Sequence, residues 1–204
     1  MTEEALRQHI ENSSTFESET FEGLDLTGVK LSGKEFSQCT FRRANLKDTT
    51  WIGAVLEDCV FDTCDLSNLR LRGATLRGVE FTGSKLIGTV WSELAAHPVL
   101  ALSDCNMRYQ SFASLDLRRT KFTRCAIDES TFHHVNLTQS VFDECSLVQS
   151  RFDQCTLIGA DFSTSTGVYF DAVRNRAKGA LVSIETAALI ASSMGLIVSG
   201  FRHE

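Results

Sequence analysis

Large apolar residues recur at every fifth position through most of this 204-residue chain. From Phe16 the steps land on Phe21, Leu26, Leu31, Phe36, Phe41, Leu46, Trp51, Leu56, Phe61, Leu66, Leu71, Leu76, Phe81, Leu86 and Trp91 without a miss. A second run, one residue out of phase, reads Leu102, Met107, Phe112, Leu117, Phe122, Ile127, Phe132, Leu137, Phe142, Leu147, Phe152, Leu157 and Phe162. In a chain that is 43% hydrophobic, such runs do not arise by chance. A helix buries residues at 3.6-residue spacing and a strand at spacing two, so period five fits neither.

Each five-residue unit has its own logic. The residue two before the centre is small and points the same way as the centre across a short extended piece. The second residue after the centre is glycine at 23, 28, 33, 53, 73, 78, 83 and 88 in the first run. Glycine is the residue that a positive φ requests. A chain that alternates extended piece and turn winds round a square, one unit per side and 20 residues per coil. Coils stacked ~4.8 Å apart pair as parallel strands and give a shaft roughly 35 Å long. Centres then form axial columns at every 20th residue. Trp51 and Trp91 share one column, and from Phe112 to Phe162 phenylalanine falls on two opposite sides with aliphatics on the other two. Aromatic columns of this kind are core, filling the axis by volume matching rather than forming a cofactor box.

The unit resembles the pentapeptide-repeat motif, most closely at Ala44-Asn45-Leu46, Leu24-Asp25-Leu26, Cys64-Asp65-Leu66, Val135-Asn136-Leu137 and Ala160-Asp161-Phe162. The resemblance covers residues 14 to 164 and implies an all-β solenoid, a right-handed quadrilateral β-helix. Asp or Asn precedes the centre in only a minority of units, so the side-chain bonds it would give are sporadic.

All seven cysteines, Cys39, Cys59, Cys64, Cys105, Cys125, Cys145 and Cys155, occupy the small-residue position. There cysteine acts as a small hydrophobe. No C-x-x-C pair occurs, and the odd count suits a reducing compartment.

The ends and one break interrupt the repeat. Residues 1–13 predict a cap for the first coil, a short helix started by Thr2 and carrying Leu6 and Ile10. Residues 14–93 form the first repeat block and 102–164 the second. Between them, 94–101 belong to a break in which the centres Trp91 and Leu102 stand one residue further apart than two units. Either one residue bulges, or six residues loop out and the chain re-enters at Val99–Leu102. Ser92, Glu93, His97 and Pro98, the only proline, are the candidate contact residues of this break; the alternative is a simple register correction. After Phe162 the period ends. Residues 165–204 include a basic patch of Arg174, Arg176 and Lys178. Ser183 is placed to cap a helix from Ile184 to Met194, Gly195 to stop it, and Leu196–Val198 to form a short strand. The alternatives are a monomer cap and a two-fold dimer interface through Ile184, Leu189, Ile190, Met194, Leu196, Ile197 and Val198.

This tail, Glu185–Val198, resembles the C-terminal helix and strand of the Qnr and MfpA type of pentapeptide-repeat proteins, in which the segment forms the dimer. Those families, with albicidin-resistance relatives, bind type II topoisomerases and protect them from inhibitors such as quinolones. The resemblance implies a non-enzymatic homodimer whose partner is DNA gyrase or topoisomerase IV. The other expectation is a cytosolic scaffold with a different protein partner.

The residues themselves favour an outer-surface function. No nucleophile motif, phosphate loop or zinc spacing is present, and no cofactor is expected. His133, His134 and the acid pairs fall in turn positions and face outward. A net charge of -6 argues against direct nucleic-acid binding. No apolar run is long enough to span a membrane, and the start lacks the marks of a signal peptide, so a cytoplasmic protein is expected. The candidate acidic contact face comprises Glu57, Asp58, Asp62, Asp128, Glu129, Asp143, Glu144 and Asp161, interrupted in the first run by Arg42, Arg43 and Arg77. A rod of near-duplex width with an acidic face would mimic the charge of DNA in part, with shape and a specific loop supplying the rest.

Overall fold

The computed structural model describes residues 3–91, 93–95 and 97–201. Helix α1 (Glu3–Asn12) lies over the first coil, with Ile10 fully buried and Leu6 packed against the core. Its expected cap, Thr2, is outside the described residues. Lys34 pins the other end: its ammonium donates to the carbonyls of Glu11 and Ser13 and sits 5.9 Å from the centre of the Phe16 ring.

The shaft follows. Its strands are β1 (Thr15–Glu17), β2 (Thr20–Glu22), β3 (Glu35–Ser37), β4 (Thr40–Arg42), β5 (Val55–Glu57), β6 (Val60–Asp62), β7 (Thr75–Arg77) and β8 (Val79–Thr82). Beyond the break come β9 (Leu100–Ser103), β10 (Ser111–Ala113), β11 (Lys121–Thr123), β12 (Thr131–His133), β13 (Val141–Asp143) and β14 (Arg151–Asp153). Every pairing is parallel, and partners are one coil apart, as in Phe16↔Phe36, Phe41↔Phe61 and Phe122↔Phe142. The first side of the square holds β1-β3-β5-β7; the second holds β2-β4-β6-β8-β9-β11-β13. The third side is joined by single bridges such as Asp25↔Asn45 and Asn106↔Ala126. On the fourth, bridges from Lys30 to Ser111 lead into the sheet β10-β12-β14. The chain is thus a β-solenoid of about seven turns.

The columns lie where the period places them. On the second side Phe21, Phe41, Phe61 and Phe81 stack with ring centres 4.9, 4.9 and 5.1 Å apart. Phe122, Phe142 and Phe162 continue that column, and Phe112, Phe132 and Phe152 stack opposite on the fourth side. Turn glycines have positive φ, as at Gly23 (67°), but Asp48 (58°) and Glu144 (53°) adopt the same conformation. The stacked backbone holds them there: the N–H of Asp48 donates to Ser67 O of the next coil at 2.9 Å. Local strain persists where surrounding structure over-determines it.

In the small-residue position the side chain does more than fill space. Ser84 Oγ accepts the N–H of Cys64 at 2.9 Å and donates to Phe61 O at 3.1 Å. Cysteine follows the same pattern, with Cys145 Sγ accepting the N–H of Cys125 and Cys125 Sγ donating to Leu102 O. The thiols are therefore polar corner links as well as small hydrophobes, and all seven are free and buried.

Three expectations need correction or resolution. The break is a one-residue insertion: Val79 pairs with Leu100 and Phe81 with Leu102, a step of 21. The backbone stays on the coil, since Gly73 N–H donates to Glu93 O, Ala95 N–H to Ala74 O and Val99 N–H to Leu76 O. These bonds leave no slack for a six-residue loop. Secondly, the shaft does not stop at Phe162. Ser146↔Thr166, Thr156↔Arg176 and Asp161↔Leu181 bridge a further coil, whose core is Val168 and Phe170 with Ala177 and Val182 packed against it. The period is lost there because one side of that coil bends away from the square. Thirdly, Leu196–Val198 is not a strand. Among the described residues no strand pairs with it; Leu196 N–H turns back to Ala191 O at 3.1 Å, and Val198 O accepts the N–H of Phe201 at 3.2 Å.

Helix α2 (Ile184–Ser193) begins as expected, with Ser183 Oγ accepting the N–H of Thr186 at 3.1 Å. It docks on the last coil through buried Thr186 and Ala188, and Thr186 Oγ1 donates to Val168 O.

Candidate functional site

With the axis filled by side chains, the outside of the shaft and its C-terminal end are the surfaces open to a partner. Three regions carry the residues singled out by sequence.

The first is the end cap. Docking through Thr186 and Ala188 leaves the other flank of α2 and the tail beyond it uncovered. Ile184 is 90% exposed, Ile197 is 99% exposed, and Met194 and Leu196 are more than half exposed. Leu189, Ile190 and Val198 are half-buried, Ile190 against the core cluster. Exposed apolar surface of this kind is characteristic of an interaction site.

The break forms the second region. His97 stands where the column of the first side would place an apolar centre, yet it is exposed, with φ of 61°. Its Nδ1 lies 3.1 Å from Asp116 Oδ2, and Arg118 grips the same carboxylate. Burial alone would raise the Asp116 carboxyl, but Arg118 and the His97 ring hold it below the usual carboxylate range. Glu93 is exposed, Pro98 is buried, and Leu94 is half-buried against the core. Ser92 lies outside the described residues.

The acidic residues form the third region, and the register spreads them over three sides. Asp62, Asp143, Glu144 and Asp161 lie on the second side, and Glu57 and Asp58 on the first side lead into it. Asp128 and Glu129 end the third side and turn away toward the fourth. Much of this charge is cancelled by arginines one coil away: Arg42 pairs with Asp62 at 3.1 Å, Arg77 with Glu57 at 2.8 Å and Arg108 with Asp128 at 3.0 Å. The exposed pairs of Asp62 and Glu57 add little stability, but all three thin the negative field. Asp128 shows the effect most clearly. Burial would raise its carboxyl, and hydrogen bonds from Ser146, Arg108 and the Val148 N–H hold it down instead. The sequence could not pair these residues without the 20-residue register and the added residue at the break.

Among the described residues no cluster of three or more His, Cys, Asp or Glu could hold a metal ion, and no helix is long and apolar enough to cross a membrane. His133 faces outward and meets Asp153 at 3.1 Å.

Known proteins place the chain. A family model described as a pentapeptide repeat region matches residues 56–132 and 105–173, and one described as pentapeptide repeats in eight copies matches residues 21–58. No curated protein matches the sequence. Among solved structures, full-length QnrB1, a plasmid-mediated fluoroquinolone resistance protein, is 19% identical with a TM-score of 0.55, covering 89% of this chain and 90% of that one. HetL, a pentapeptide-repeat protein involved in heterocyst differentiation regulation in the cyanobacterium Nostoc, is 20% identical with a TM-score of 0.55, covering 89% and 92%. At these identities the likeness is one of fold. Repeat, register and family models agree that this chain belongs to the pentapeptide-repeat family.

Proposed function

We propose that this protein is a non-enzymatic, cytoplasmic homodimer that binds a type II topoisomerase, DNA gyrase or topoisomerase IV, and protects it from a poison of the quinolone or albicidin kind. The observation that carries the proposal is the uncovered apolar flank of α2 with its tail, at the end of a shaft that matches QnrB1 over nine-tenths of both chains. Two copies joined through Ile184, Leu189, Ile190, Met194, Leu196, Ile197 and Val198 would make a rod of about twice the length of one shaft. The second side, with Glu57 and Asp58 leading into it, would then serve as a partial duplex mimic in a basic saddle. Because its charge is thinned by arginine pairs, shape and the break at Glu93 and His97 would supply part of the specificity.

The experiment is a gyrase supercoiling assay with a quinolone or albicidin, with and without protein, beside sedimentation of the wild type and Ile197→Asp. Protection by a dimer, lost when the dimer is lost, supports the proposal. No protection against any such poison, together with no gyrase binding, removes it. The second reading, a scaffold for another protein partner, is favoured by the equal likeness to HetL. A monomeric wild type with unchanged drug sensitivity on overexpression would select it.

A further inference from the structure

The last coil closes the backbone ladder on the second side, where Phe162 N–H donates to Leu181 O at 2.8 Å, but leaves it open on the fourth. There β14 pairs with β12 through Phe132↔Phe152. Parallel alternation turns the N–H groups of Phe152 and Gln154 and the carbonyl of Ser150 away from β12. One coil earlier the corresponding groups are used: His134 N–H donates to Asp153 O at 3.0 Å, and Ser130 O accepts from Arg151 at 2.8 Å. Residues 170–174 would supply the next strand, and they bend away instead. Phe170 buries itself against Phe152 and Phe162. Asp171 Oδ1 accepts the N–H groups of Val173 and Arg174 in a turn. Among the described residues, Phe152 N–H, Gln154 N–H and Ser150 O are left without a partner.

The bend opens a groove of about 1100 Å³ between the outer face of β12 and β14 and the residues Tyr169, Phe170 and Arg174. Asn175 shows what the edge accepts. Its side-chain amide donates to Phe152 O and accepts the N–H of Cys155, both at 2.9 Å, in place of backbone. The two free N–H groups lie two residues apart, roughly 6.6 Å along an extended strand. That is too far apart for one carboxylate or phosphate to span, and it is the repeat of alternate carbonyls in an extended peptide. The charge at the groove adds a preference. Arg174 is engaged by Asp153 at 2.6 Å. Arg151, pointing out of β14, has no carboxylate partner among the described residues.

We propose that this edge takes an extended segment of a partner protein as an added strand, with an acidic side chain opposite Arg151. Strand addition draws affinity from main-chain hydrogen bonds and specificity from the side chains between them. The proposal does not rest on the partner being a topoisomerase, and gyrase binding can persist whether or not the edge is used.

The test uses the full-length protein and an acetylated, amidated heptapeptide of valine and threonine with one central glutamate. Amide hydrogen exchange at Phe152 and Gln154, followed by NMR, should slow by about tenfold or more at saturating peptide. Methylating alternate peptide nitrogens should abolish the effect. Arg151→Glu should weaken this peptide by roughly tenfold and favour a version with lysine at its centre. Unchanged exchange up to millimolar peptide would overturn the proposal. So would protection that is already present without peptide, rises with protein concentration and disappears in Ile197→Asp, because the edge would then belong to the tail of a second copy.

Discussion

The indole N–H of Trp91 donates to Oε1 of Gln110 at 2.8 Å in the fully packed axis of the shaft. Gln110 sits in the next coil, in a position that elsewhere holds small residues, and its amide nitrogen donates in turn to Leu86 O at 2.6 Å. Trp51, two coils below in the same column, solves the same problem with Thr49 Oγ1 of its own unit at 2.9 Å. Replacing Gln110 by alanine would strand the buried indole donor and leave Leu86 O with the N–H of Thr89, at 3.3 Å, as its partner. Gln110→Ala should cost roughly 1–3 kcal/mol, read as a lower denaturation midpoint with altered tryptophan fluorescence.

Phe142 is sandwiched between Phe122 and Phe162, at ring-centre distances of 4.6 and 4.7 Å. Both neighbours belong to a stacked backbone that cannot collapse into the space left by truncation. Phe142→Ala should therefore cost about 3–5 kcal/mol. An unchanged melting temperature would refute its place in the column. Glu144→Ala, two residues on and exposed, should leave the melting temperature nearly unmoved.

Thiol chemistry offers a third check. Burial pushes the Cys64 thiol up to about 11 and moves Cys155 in the same direction. With all seven cysteines buried, an aromatic disulfide reagent should find none in the native protein and all seven once it is denatured. Rapid labelling of any one of them under native conditions would show that its coil opens.

Acid should weaken the fold in a defined direction. The Asp116 and Asp128 carboxyls are held below their usual range, against their burial, by Arg118 and by Ser146 with Arg108. A carboxyl depressed in the folded state stabilises it above the unfolded pKa of about 3.9. That stabilisation is lost as pH falls through the folded value. Stability measured from neutral pH downward should hold until about pH 4 and then decline. The decline should be shallower in Asp128→Asn, and an identical acid limb in the two proteins would refute the assignment.

The core was legible because each centre reports on itself: Phe122 is apolar, and five residues away so is the next. The outer surface was not legible to the same degree, because its meaning lies in pairs. Arg42 and Asp62 look independent at 20 residues apart, until the coil sets one above the other. In the sequence Asp128 belongs to an acidic face, but the added residue at the break sets which side it occupies and Arg108 cancels it. His97 and Gln110 departed from the pattern, and each departure proved to be where one coil hands a polar bond to the next.

By itself the sequence determined the square winding, the composition of the axis and the start of α2 at Ser183. Those follow from periodicity and capping, which are local. Only the tertiary structure decided that the break is a single inserted residue, that the shaft runs one coil past Phe162, and that Leu196–Val198 is not a strand. Each of those depends on which backbone lies beside which, a relation that exists only once the coils are stacked.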